Sequence, residues 1–246
     1  MSDSPPPKSS DLSRSGAASA STTPGASGQT HVGAPSASPP SGASDLPRRE
    51  LVPLVVPPVV LEGQAVRLEP LRMEHAPALA ALCEDEIFTW FSRVLRTQAD
   101  VEAFITSALK AAEQGTERPF VILERETGAP VGSTRFLDIQ REHRTLEIGY
   151  TWLARRVWRS RVNTECKYLL LRHAFETLGV MRVQLKTDQR NARSRAAIER
   201  MGAKFEGILR NHMLVRGGFV RDSAYYGVID TEWPEVKARL EGFLAR

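Results

Sequence analysis

The chain has 246 residues, 41% apolar and 25% charged, with a formal charge of +4, and so mild a basic excess does not by itself mark a nucleic-acid binder. Its two cysteines, Cys83 and Cys166, form no C-x-x-C pair, which offers neither a disulfide framework nor a zinc site and suits a reducing cytoplasm. No basic start followed by an apolar run opens the chain, and LVPLVVPPVV (51–60) is half a membrane span long and broken by Pro53, Pro57 and Pro58, so neither an export signal nor a membrane anchor is expected.

Residues 1–50 are dominated by Ser, Pro, Ala and Gly, lack any aromatic residue, and carry four basic and four acidic side chains. Such a stretch buries too little apolar surface to offset its ordering entropy and reads as a disordered tail. Residues 51–246 hold the whole charge excess and are long enough for one domain with a core.

From residue 62 the pattern changes. AVRLEPL (65–71) alternates as a strand does, EHAPALAALCED (74–85) places Leu79, Leu82 and Cys83 on one helical face, and a second helix over 99–113 carries Val101, Phe104, Ile105, Ala108 and Ala112 on one stripe. Three strands follow: PFVILER, then PVGSTRFLDIQ after the turn ETGAP, then RTLEIGYTWLA (144–154). A helix is expected over 163–178 with Cys166, Leu169, Leu170, His173 and Ala174 inward and Gly179 ending it, then a strand over 180–188 and a helix over 192–201 stopped by Gly202. KFEGILRNHMLV and FVRDSAYYGVID bracket RGG as a hairpin, and TEWPEVKARLEGFL closes the chain as an amphipathic helix. The order β α α β β β α β α β β α implies an α+β (mixed α/β) fold, with helices on both faces of a mixed sheet. The first half of that sheet is antiparallel, and 144–188 form a strand–helix–strand crossover.

Within the crossover, RRVWRSRVNTECK (155–167) sets Arg155, Arg156, Arg159 and Arg161 between a strand and a helix start. Free N–H groups and the positive dipole end make such a place an anion site. Any one of these arginines suits a solvated face or a carboxylate partner; the cluster at a helix start favours phosphate. Glu147 alternates with Leu146 and Ile148 and so projects from the opposite strand face. It reads either as a carboxylate paired with a basic residue on a neighbouring strand or as a general base toward an amine. Asn191 fits a helix N-cap, and Ser194 shares its face one turn on. Of Tyr225 and Tyr226 only one can face a cleft. His173 reads as core, His212 has no partner visible in sequence, and His143 lies in a turn, so none reads as catalytic.

The segments LEIGYTWL, VNTECKYLLLRHAFETLG, VQLKTDQRNARSRAAIERMGAKFEG and RDSAYYGVIDTEWP, in that order, resemble the GNAT N-acetyltransferase superfamily in its ribosomal-protein N-acetyltransferase (RimJ/RimL-like) branch, over roughly residues 59–234. The resemblance implies a GNAT-like central mixed, mostly antiparallel sheet of six to seven strands. It implies acetyl-CoA as cosubstrate and no metal, with the pyrophosphate on the N–H groups of Arg159, Ser160, Arg161, Val162, Asn163 and Thr164. It further implies that the strands before and after the helix splay to admit the pantetheine arm, which Asn191 would bond. N–H groups near Thr151, Trp152 and Leu153 would stabilise a tetrahedral intermediate, Glu147 would act as base, and Ser194 would protonate the departing thiolate, since the helix offers no Tyr for that task.

The loop departs from the family pattern Q/R-x-x-G-x-G/A: Trp158 stands at the first position, Arg161 at the first glycine and Asn163 at the second. Arg161 must therefore take an ordinary conformation, with its side chain directed away.

The resemblance makes the partners acetyl-CoA and an amine acceptor, in a monomer or homodimer; no nucleic acid is expected, since no aromatic platform interleaves with the arginines apart from Trp152 and Trp158, and no membrane. At pH 7 an α-amine with a pKa of about 8 needs only about 1.4 kcal/mol to be neutral, whereas a lysine-type amine needs roughly 4.6. One carboxylate without a histidine suits a protein or peptide N-terminal amine. A small amine such as a polyamine or aminoglycoside is the alternative within the enzyme class, favoured by an acidic cleft, and a catalytically silent acyl-CoA-binding module is the alternative outside it.

Overall fold

The computed structural model describes residues 52–246; the tail expected over 1–50 lies outside the described residues. Eight strands form one sheet: β1 (Leu61–Glu62), β2 (Val66–Pro70), β3 (Arg118–Glu124), β4 (Pro130–Gln140), β5 (Thr145–Leu153), β6 (Arg182–Asp188), β7 (Lys204–Val215) and β8 (Phe219–Ile229). Their spatial order is β1-β2-β3-β4-β5-β6-β8-β7, with β5–β6 the parallel pair and every other pairing antiparallel. The sheet thus has one strand more than expected, because two residues at Leu61–Glu62 pair with β2; a strand that short carries no periodicity to read.

The five α-helices are α1 (Ala76–Ala80), α2 (Gln98–Glu113), α3 (Val162–Arg172), α4 (Ala192–Arg200) and α5 (Trp233–Leu244). The helix expected over 74–85 survives only as α1, flanked by 3-10 turns at 73–75 and 85–88. Pro77, which lacks an N–H, fits only its first turn. A capping box between Thr97 and Asp100 starts α2 and contributes about 1 kcal/mol. The single helix expected over 163–178 is α3 followed by a π-helical turn, His173–Thr177.

The apolar stripes bury against both sheet faces. On one, Leu169 and Leu170 of α3, Ile198 of α4 and Leu240 of α5 pack with Leu68, Phe120, Phe136, Leu146 and Ile148. On the other, Leu79 of α1 and Val101 and Ile105 of α2 pack with Phe88, Val121 and Trp152. Each such fully buried side chain contributes about 1.5–3 kcal/mol.

The placement of α3 is fixed from beneath by Glu165, a buried carboxylate that accepts the N–H groups of Gln64 (2.9 Å), Ala65 (2.6 Å) and Val66 (2.8 Å) at the β1–β2 turn. Bonds to a charged acceptor contribute about 1.5–3 kcal/mol each, so this side chain ties the first turn of α3 to the far edge of the sheet. No helix among the described residues is long and apolar enough to cross a membrane, and Cys83 and Cys166 are free thiols.

Candidate functional site

The parallel pairing of β5 and β6 covers only Thr145–Arg182, Leu146–Val183 and Glu147–Gln184. Beyond Glu147, β5 is bonded to β4 alone and β6 to β8 alone, so the two strands diverge into a gap that opens toward their C-terminal ends. A β-bulge shapes its wall: Ser133 faces Trp152 and Arg135 faces Gly149, so Tyr150 and Thr151 together oppose Thr134, and Tyr150 takes a positive φ of 47°. The edge of β5 from Gly149 to Leu153 that points toward β6 thereby keeps backbone N–H groups facing the gap.

The arginine-rich loop follows β5 directly. It is tethered by Trp158 Nε1, which donates to Leu153 O (2.9 Å), and by Ser160, whose Oγ donates to Val157 O (2.7 Å) and accepts from Val162 N (3.3 Å). Helix α3 then starts without a side-chain cap, and among the described residues no acceptor takes the N–H groups of Arg161, Asn163 and Thr164. Val162 and Leu153 point into the core, so they can meet a ligand only through backbone, as can Trp152, whose ring packs on Phe88 at 5.5 Å on the opposite face.

The four arginines of the loop divide. Arg155 pairs with Glu84 and Glu86, and Arg156 with Glu124, all at 3.1 Å. Arg159 and Arg161 have no carboxylate partner among the described residues; Arg161 reaches Gln64 Oε1 and Leu244 O. Arg161 has the ordinary φ of −68° expected of it. The left-handed conformation falls instead on Arg159, at φ 59°, a position where a non-glycine residue costs about 1 kcal/mol. Sequence reasoning missed two further cations from α4. Arg193 lies 3.9 Å from the ring of Trp158, and Arg200 donates to Thr164 Oγ1 (3.0 Å) beside Phe243; no sequence signal links α4 to a loop more than thirty residues earlier.

Asn191 caps α4 by accepting the N–H of Ser194 (3.0 Å), and the half-buried Ser194 hydroxyl has no partner among the described residues. A small cavity lined by Asn163, Thr164, Lys167, Ala197, Arg200 and Phe243 lies between α3, α4 and α5. At its floor Lys167, 8% exposed, donates to Thr151 Oγ1 (2.6 Å), which is hydrogen-bonded in turn to Thr134 Oγ1 (2.8 Å). Burial pulls the Lys167 ammonium down to about 8.

On the other sheet face, Glu147 is 2% exposed. Its Oε2 accepts Lys186 Nζ (2.8 Å) and Gln184 Nε2 (3.0 Å), while Oε1 takes no donor among the described residues. It is therefore paired with a neighbouring strand, yet buried rather than on the surface. Gly149 keeps the space beside it open, since a Cβ there would meet Glu147 Oε1 at 2.9 Å.

Across the gap Tyr225, not Tyr226, faces this carboxylate: Tyr226 is fully buried between Arg195 and Glu199. Tyr225 Oη bonds His212 Nε2 (3.0 Å), His212 Nδ1 bonds Ser223 Oγ (2.9 Å), and Ser223 Oγ accepts Arg221 Nε (3.0 Å). His212 thus has two partners that the sequence did not reveal, because a register shift between Leu209 and Met213 brings them together. Burial, then Lys186 and Arg221, hold its imidazole below the usual value, and burial raises the Tyr225 phenol. His173 is core, stacked on Phe136.

A model of the acetyltransferase (GNAT) domain matches residues 65–204. YdaF of Bacillus subtilis (strain 168), provisionally named a ribosomal N-acetyltransferase, is 32% identical over 106 residues, which are 43% of this chain and 57% of that one; the chain therefore spans little more than half the length of this relative. A provisionally named acetyltransferase of T. thermophilus, known from its crystal structure, is 41% identical with a TM-score of 0.70, covering 77% of this chain and 98% of that one. Mycobacterium smegmatis RimJ, solved with CoA-disulfide, is 23% identical with a TM-score of 0.64 over 78% of this chain and 92% of its own, a likeness of fold alone.

Proposed function

The chain belongs to the GNAT acetyltransferase family, and on that premise we propose that it carries the acetyl group of acetyl-CoA to the α-amine of a protein or peptide N-terminus. The observation that carries this reading is the gap between β5 and β6, at whose mouth unbonded N–H groups of α3 stand beside two arginines without carboxylate partners. Phosphates suit that donor set, because N–H groups at a helix start and free guanidinium groups are both anion donors. Acetyl-CoA, when bound, supplies an activated thioester.

The chain's own groups then divide the work. Arg159, Arg161 and the N–H groups of Asn163 and Thr164 hold phosphate, with Arg193 and Arg200 adding positive charge from α4. Asn191 orients the first turn of α4 and with it Ser194. Glu147, through its free Oε1 and directly or through water, takes the proton that the amine loses as its nitrogen bonds the acetyl carbon. N–H groups on the free edge of β5 near Thr151, Trp152 and Leu153 donate to the oxygen that gains negative charge. Ser194 gives its hydroxyl proton to the sulfur that leaves as the C–S bond breaks.

The name of YdaF and the low demand of an α-amine on a single carboxylate both favour a protein N-terminus as acceptor. A polyamine is disfavoured by the acceptor face, where Glu147 is neutralised by Lys186 and Asp188 by Arg190. Thiol release from acetyl-CoA with a panel of N-terminal peptides tests the proposal. Turnover of at least one peptide, with its N-terminus acetylated in the mass spectrum, is expected; acetyl-CoA binding without turnover of any amine would sink it.

A further inference from the structure

The acceptor face of the gap settles its charges almost completely. Glu117 binds Arg135 (2.6 Å), Glu147 binds Lys186 (2.8 Å) and Asp188 binds Arg190 (2.8 Å). Asp138 is exposed and takes Gln140. Arg221 is left over. It is 9% exposed, its Nε is spent on Ser223 Oγ, and among the described residues neither of its Nη groups has an acceptor and no carboxylate lies within ion-pair reach. Asp188 and Glu147 act on it only at longer range, each already held by its own cation. The Nη atoms themselves are not sealed from solvent, so a mostly enclosed guanidinium presents two open donors to whatever enters, and a carboxylate is the group that matches its fork.

Two neighbours support the same conclusion. Arg135, on β4 across the gap and 3% exposed, leaves Nε and Nη2 unbonded between the rings of Phe104 (4.5 Å) and Tyr150 (4.3 Å). Next to Asp188, the residue whose charge acts most on Arg221, a cleft of about 240 Å³ runs from the end of β6 to the β7–β8 turn, lined by Trp90, Asp188, Arg190, Arg216 and Phe219. Its cations outnumber its single carboxylate, and Arg190 lies over the Trp90 ring (5.5 Å). The cleft holds about one or two residues of an acceptor, judged against pockets of 300–1,000 Å³ that bury drug-sized ligands.

We propose that the amine acceptor carries a carboxylate close behind its reacting amine, and that the free Nη groups of Arg221 bind it. This rests on the acetyl-transfer reading and narrows its acceptor. Two sources share the chemistry: the α-carboxylate of a free amino acid, and an acidic side chain at the second or third position of a peptide.

The test uses matched pairs with the full chain: peptides with Asp against Asn, or Glu against Gln, at the second and third positions, and free amino acids against their amides. Each pair is measured twice, as kcat/KM for thiol release and as a Kd by calorimetry with CoA present, so that preference is readable even without turnover. The expected result is a preference for the acidic member of at least ~10-fold in one arm, and the arm that shows it identifies the source. In Arg221→Gln and Arg221→Lys the ratio should collapse toward one, most fully in the glutamine variant; the wild-type ratio decides the matter even if a variant fails to fold. Equal Kd and equal kcat/KM within every pair overturn the proposal and leave acetyl transfer intact. Acid preference in Kd with no turnover of any amine upholds it and overturns acetyl transfer.

Discussion

The two sides of the gap between β5 and β6 handle charge in opposite ways. On the side of α3 and α4, Arg159, Arg161, Arg193, Arg200 and Lys167 have no ion-paired carboxylate among the described residues, whereas on the other face three carboxylates each hold a cation and two are left over, the exposed Arg216 and the mostly enclosed Arg221. The first side carries a surplus of positive charge, mostly on exposed arginines that cost little to leave unpaired. The second is closer to balance, and of its two unpaired cations only Arg221 is drawn mostly out of solvent. A surplus suits a ligand with several phosphates, and a near balance with one mostly enclosed guanidinium suits a ligand with one negative group.

The largest expected effect probes Lys167, the one buried cation on the phosphate side. Its folded value is about 8 against 10.5 for the unfolded group, so between those pH values the unfolded chain holds more protons and stability must rise with pH. Thermal or urea unfolding should show a gain on the order of 3 kcal/mol across that window. Lys167→Met should abolish the slope; a slope unchanged in the variant would assign it to other groups. On the acceptor side, Glu147→Gln should lower kcat about 100-fold at pH 7 while shifting the acetyl-CoA Kd by less than about twofold. Loss of cofactor affinity instead would make Glu147 part of the scaffold rather than the base.

Two smaller effects divide the loop itself. Arg159→Gly relieves a left-handed conformation and should stabilise the fold by about 1 kcal/mol in urea titration, yet weaken acetyl-CoA about 10-fold in calorimetry. Gains in both would mean that the side chain obstructs phosphate. Arg155→Ala and Arg156→Ala remove exposed ion pairs, worth about 0–1 kcal/mol, and should leave acetyl-CoA binding unchanged. A tenfold loss from either would erase the distinction between the two halves of the arginine run.

The sequence made these elements visible to unequal degrees. α2 and α3 bury one face over many residues, so their periodicity is strong, while the β7–β8 hairpin was legible from its RGG turn and the crossover from element order. Asn191 was readable as a cap because its bond to Ser194 is local. What escaped depends on register or distance. The bulge at Tyr150 shifts pairing by one residue, the shift after Leu209 builds the Ser223–His212–Tyr225 chain, and Arg193 and Arg200 meet Trp158 and Thr164 only once the crossover is closed. Whether Glu147 was paired or free could not be read either, since Lys186 reaches it across a strand junction.

The grip of Glu165 on the β1–β2 turn has a bearing on how much change the loop ahead of it can take. Ser160 and Arg161 hold the start of α3 from outside, through the N–H of Val162 and through Gln64 and Leu244, while Glu165 holds it from inside, one turn further on. The two holds meet at one residue, since Gln64 gives its N–H to Glu165 and takes Arg161 on its side-chain oxygen. The stretch from Trp158 to Asn163 thus has a fastening duty beside any ligand contact, and exchanging it for a glycine-bearing loop would leave α3 attached through Glu165 while releasing its outer tie to Gln64.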